Sequence, residues 1–124
     1  MARLFKNSDG HFDAEIDIYP IEKTGRKSHP LNGIRWAFAY AEDFAKNTKN
    51  GTPTQISDVW PEFLDESGQT IPTDVPLMGM LKARMHIVSP EMVSVHMTRL
   101  KVGTKFYCLD GIRPRAQGVV TALD

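Results

Sequence analysis

The chain reads as an all-β protein, a small antiparallel barrel, and three observations predict this. Residues Phe12 to Tyr19 (FDAEIDIY) alternate apolar with acidic side chains, and Leu81 to Val88 (LKARMHIV) alternate apolar with basic ones. A period of two is what a strand with one buried face requires. Nine glycines and eight prolines are scattered through the 124 residues, so short extended runs are punctuated by turns, as closed or sandwiched sheets demand.

Taken in order, the first strand sets Phe12, Ala14, Ile16 and Ile18 on one face. A turn-rich segment from Glu22 to Gly33 leads to a second strand over Ile34–Tyr40. Within Arg35 to Lys46 (RWAFAYAEDFAK) the alanines favour helix and Phe38 and Phe44 break strict alternation, which predicts a strand running into a turn of helix. From Asn47 to Thr73 the composition shifts to Asn, Gly, Thr, Pro and acids, a long loop or elaborated hairpin; Ile56 to Leu64 tucks one short element back through Val59, Trp60 and Phe63. After the strand Leu81–Val88, the β-branched and apolar run from Met92 to Val102 reads as extended, and Gly103 turns the chain. Lys105 to Leu109, the hairpin dipeptide Asp110-Gly111 and Arg113 to Leu123 complete the sheet, with Pro114 marking a bulge or a late start of the last strand.

Composition sets the remaining bounds. With 41% hydrophobic and 24% charged residues the chain suits a single soluble domain over 1–124, and no run is apolar and long enough for a membrane helix or a secretory signal. A cytoplasmic protein is expected. Cys108 is the sole cysteine, read as a buried strand residue, so neither an internal disulfide nor a cysteine metal cluster is available. His11, His29, His86 and His96 show no metal-ligand spacing, and the chain has neither a phosphate-wrapping G-x-x-x-x-G-K-[ST] loop nor a G-x-S-x-G elbow. No enzyme activity, metal, nucleotide or cofactor is expected. The formal net charge of zero conceals a partition: residues 42 to 80 carry two Lys/Arg against seven Asp/Glu, and residues 81 to 124 seven against three.

Three blocks in order carry a resemblance. GRKSHPLNGIRWAF supplies Gly25, Arg26, Gly33, Arg35 and Phe38; LKARMHIVSP supplies a lysine and a closing proline; GTKFYCLDGIRPRAQGVVTALD supplies Gly103, Phe106, Gly111, Arg113, Gly118, Val119 and Val120. With FDAEI as an opening strand, this set is similar to the C-terminal β-barrel (domain III) of the translation elongation factor Tu family, here as a stand-alone chain without a GTPase domain. The resemblance implies a six-stranded antiparallel closed barrel that binds and does not catalyse. In the intact factor that barrel touches the T-stem backbone of tRNA, the GTPase domain and the exchange factor Ts. Carried onto this chain, it implies tRNA or other RNA as partner, with Arg26, Lys27, Arg35, Lys105, Arg113 and Arg115 on phosphates and Gly111 allowing close backbone approach. Lys27 stands where the family has histidine. The segment from about 43 to 78 is longer than the family's and holds Asp58, Glu62, Asp65, Glu66 and Asp74. That departure favours a second reading, a protein-interaction module such as a translation-factor mimic, a regulator or a toxin immunity protein. It would act through the acidic insertion, with Trp60 and Phe63 as exposed anchors beside Glu62, Asp65 and Glu66.

Overall fold

Alternation becomes structure most directly in β1 (Phe12–Ile18), whose four apolar residues are buried while Glu15 stays exposed. The computed structural model describes residues 9–24, 28–46 and 56–124. Five further strands follow: β2 (Ala37–Tyr40), β3 (Val59–Leu64), β4 (Gly79–Ile87), β5 (Lys105–Asp110) and β6 (Arg113–Leu123). All neighbours are antiparallel in one curled sheet of order β2-β5-β6-β1-β4-β3. Three helices accompany it: α1 (Ile21–Thr24), α2 (Ala41–Lys46) and α3 (Val93–Arg99).

The concave face holds the core. Phe12, Ile16, Phe38, Phe63, Met85 and Phe106 are almost fully buried there. Phe106 stacks on Phe38 with ring centroids 4.7 Å apart, and it lies flat against Gly118, its cross-strand partner. A β-carbon at Gly118 would fall 2.4 Å from the Phe106 ring, so glycine is required by the ring and not by a turn.

The sheet does not close into a continuous barrel, which corrects the closed six-stranded expectation. Among the described residues, edge strand β2 meets the segment just before edge strand β3 through one isolated bridge, Phe38 with Ser57, whose two amide-to-carbonyl bonds are each 2.8 Å. Further along the seam the Asn32 side chain replaces a strand. Its Oδ1 accepts the Phe63 amide at 2.9 Å, and its Nδ2 donates to the carbonyls of Phe63 and Ile71, both at 2.8 Å. A buried amide thus imitates the donor and acceptor pair of a backbone neighbour.

The short element expected within Ile56 to Leu64 is β3, one of the six strands of the sheet; residues 47–55 lie outside the described ones. One further expectation is corrected. Met92–Val102 is not extended. Pro90–Met92 forms a 3-10 turn leading into α3, and Val93, His96, Met97 and Leu100 fall at helical spacing on the face packed against the sheet. Ser89-Pro90-Glu91, a helix-start pattern with proline at the first turn, is the signal that outweighs the β-branched Val93 and Val95.

Candidate nucleic-acid interface

The β5–β6 hairpin is shaped by one extra residue. Cys108 pairs with Ala116 and Leu109 with Pro114, so Arg115 is the unpaired residue of a bulge. Proline suits this place because its missing amide leaves no ladder bond unmade. The bulge turns Arg115 inward: its side chain is only 8% exposed, its guanidinium lies 3.4 Å from Asp110 and 5.9 Å from the centre of the Trp36 ring. Arg115 is therefore a buried structural cation, and the expected exposed phosphate contact at this position is corrected. Trp36 Nε1, also buried, has no hydrogen-bond partner among the described residues.

Beyond Arg115 lies a cleft of about 390 Å³ lined by Ser28, His29, Leu31, Ile34, Asp110 and Arg115. Two segments some eighty residues apart in sequence meet here, the SHPLNGI loop and the DGIRPR hairpin. At the hairpin tip Gly111 has φ 63°, and Gly111, Ile112 and Arg113 are all exposed. Arg26 and Lys27, which immediately precede Ser28 in the chain, lie outside the described residues.

The other proposed cations stand apart. Arg35 is exposed, with its guanidinium 4.7 Å from the centre of the Trp60 ring. Lys105 opens β5 at the opposite end of the hairpin, next to Arg99 and Lys101. Among the described residues it is Asp110 and Arg115, flanking the Gly111–Arg113 tip in sequence, that line the cleft with the SHPLNGI loop.

The acidic set fares differently from its reading. Phe63 is a fully buried core residue packed edge-on against Trp36, so it is not an exposed anchor. Glu62 is also buried: its carboxylate shares a hydrogen bond of 2.9 Å with His86 Nε2 and accepts one of 2.7 Å from the Thr70 hydroxyl. Burial holds the His86 pKa below that of a free histidine, against the opposing pull of Glu62. Asp65 organises a turn, accepting from the amides of Ser67 and Gln69 and from the Ser67 hydroxyl, which lowers its pKa. Glu66 is exposed and Trp60 half-buried.

Sequence reasoning missed a second polar cluster, because its members come from two helices and a strand. Tyr40 shares a 2.7 Å hydrogen bond with His96 Nδ1, and burial pushes the Tyr40 pKa up to about 12. Arg99 lies 3.7 Å from the centre of the Tyr40 ring and makes two hydrogen bonds, 2.8 and 2.9 Å, to Asp43. Cys108 is buried on β5 as expected, with its thiol pKa raised to about 12 by desolvation, which suppresses thiolate chemistry. Among the described residues no three His, Cys, Asp or Glu side chains gather as a metal-binding group, and no helix is long and apolar enough to cross a membrane. No protein-family model and no curated protein matches the chain.

Proposed function

We propose that the protein is a non-catalytic RNA-binding module that grips a ribose-phosphate backbone where the SHPLNGI loop meets the β5–β6 hairpin. The observation that carries this reading is the shared cleft itself. Two of the three blocks that resemble the elongation factor Tu C-terminal barrel line one opening, although nearly the whole sheet separates them in sequence. Arg113 and the bare backbone at Gly111 present a cation and a close approach without bulk, the combination that positions a phosphate chain without reading bases. Arg26 and Lys27 add two cations next to Ser28 in the sequence. Arg115 shapes the cleft wall from behind and does not take a phosphate. The open seam lies between β2 and β3 and not beside β6, so it leaves the β5–β6 hairpin intact. In this reading the protein works in the cytoplasm on tRNA or a similar structured RNA.

The rival protein-interaction reading has less to stand on, because Glu62 and Phe63 are committed to the interior. The deciding experiment measures tRNA affinity across salt concentrations with purified protein. Binding that weakens steeply with salt, and that drops for Arg113→Glu on every RNA tried, supports the module. No detectable binding at low salt overturns it.

A further inference from the structure

At the far end of β5 a second groove, of about 420 Å³, is lined by Tyr40, Glu42, Arg99, Lys101, Thr104 and Lys105. Its cations are placed by rigid devices. The turn Lys101–Thr104 is closed by the Thr104 amide donating to the Lys101 carbonyl at 2.9 Å, with Gly103 at φ 94° supplying the left-handed conformation. The Thr104 hydroxyl accepts the Lys101 amide at 2.9 Å. Two more bonds tie the turn to β6, Gly103 amide to Val120 carbonyl and Val120 amide to Thr104 carbonyl. Arg99, the last residue of α3, is fixed by Asp43 and by the Tyr40 ring. Among the described residues no acidic side chain pairs with Lys101 or Lys105, and both are exposed. Three cations therefore converge, two of them unneutralised, with Glu42 on the rim 3.8 Å from Arg99.

We infer that this groove is a second phosphate site, and that the ligand of the module is an RNA segment long enough to bridge it and the Arg113 tip. The inference rests on the RNA reading above and names the length and path of the ligand. From Lys105 to Asp110, the partner of Arg113, the chain takes five extended steps, about 17 Å, so one phosphate cannot reach both ends. Between them Tyr107 lies half-buried on the outward face of β5, where a base or ribose can rest. Across β6, Glu15 and Asp17 line the same groove as Lys105 and Tyr107 and repel a phosphate chain from the β1 side, which favours a path along the β5 side of that groove.

The test uses a short duplex RNA and measures binding by fluorescence anisotropy over a range of salt. Lys101→Glu with Lys105→Glu should weaken binding about tenfold and flatten the salt dependence by about two counterions. Glu42→Gln should tighten binding by removing a repulsive carboxylate. Should the charge-reversed pair fold poorly, Lys101→Gln with Lys105→Gln serves instead. Wild-type affinity and slope in the lysine variants, with Arg113→Glu impaired, overturns the groove and leaves the tip standing. Impaired lysine variants with a normal Arg113→Glu keep the groove as a phosphate site but remove the tip and overturn the bridging path. Unchanged or weaker binding by Glu42→Gln overturns the groove, and failure of the wild-type protein to bind at low salt removes both sites.

Discussion

Asn32 shows how much one side chain can carry. It makes three hydrogen bonds across the seam while 5% exposed; the two to the Phe63 backbone are buried and the one to the Ile71 carbonyl is partly buried. Replacing it by alanine leaves the Phe63 amide and two carbonyls without that partner. Because unmet buried polar groups cost more than the bonds themselves contribute, Asn32→Ala should destabilise the fold by about 2–4 kcal/mol, read from urea denaturation. Asn32→Asp should be no better, since it exchanges a donor for a buried charge. Gly118 is the other position with no tolerance. There the alanine β-carbon must displace the Phe106 ring from its stack on Phe38, and Gly118→Ala should cost about 1–3 kcal/mol. A change below about 0.5 kcal/mol at either position would contradict these contacts.

At the scale of elements, α3 gives a test of periodicity. Val95 is 53% exposed and Leu100 3%, so Val95→Ala should leave stability within about 0.5 kcal/mol of the parent or raise it slightly, through helix propensity. Leu100→Ala should cost about 2–5 kcal/mol. Legibility in the sequence followed the same physics. β1 and β4 were readable because their apolar residues alternate with charged or polar ones, although His86 on the second face of β4 is itself buried, and Arg35–Lys46 correctly read as strand into helix. α3 was obscured by Val93 and Val95, where β-branching mimics a strand while the start signal sits upstream at Pro90. β3 was obscured because Pro61 lies inside it and both its faces are largely covered, so no alternation survives. In the candidate interface, the β5–β6 turn at Gly111 was legible from the hairpin dipeptide Asp110-Gly111. The burial of Arg115 was not, since a bulge reverses a side chain without changing composition.

For the whole molecule, three histidines set the response to acid. Burial lowers the pKa of His86 and His96, and burial together with Arg84 lowers that of His11. Each is neutral in the fold under conditions where the unfolded chain, with a pKa near 6.5, takes up a proton. Proton uptake by the unfolded state favours unfolding, so stability should be level in this respect above about pH 6.5 and decline below it. Each histidine contributes a slope of at most about 1.4 kcal/mol per pH unit until its folded-state pKa is reached. Denaturation midpoints between pH 7.5 and pH 5 check the sign; a midpoint that rises on acidification would show that these groups gain protons on folding.

The seam between β2 and β3 also dictates an order of events in time. A sheet whose two edges share, among the described residues, one bridge and a borrowed amide can part there without disturbing the central β6-β1-β4 ladder. In deuterated solvent the amides of Ser57 and Phe63 should therefore exchange through a partial opening, earlier than those of Ala14 and Ile16 in β1. Asn32→Ala should hasten the first pair far more than its loss of global stability accounts for. The β5–β6 hairpin that carries Arg113 lies apart from the seam and should keep its pairing while β2 and β3 separate.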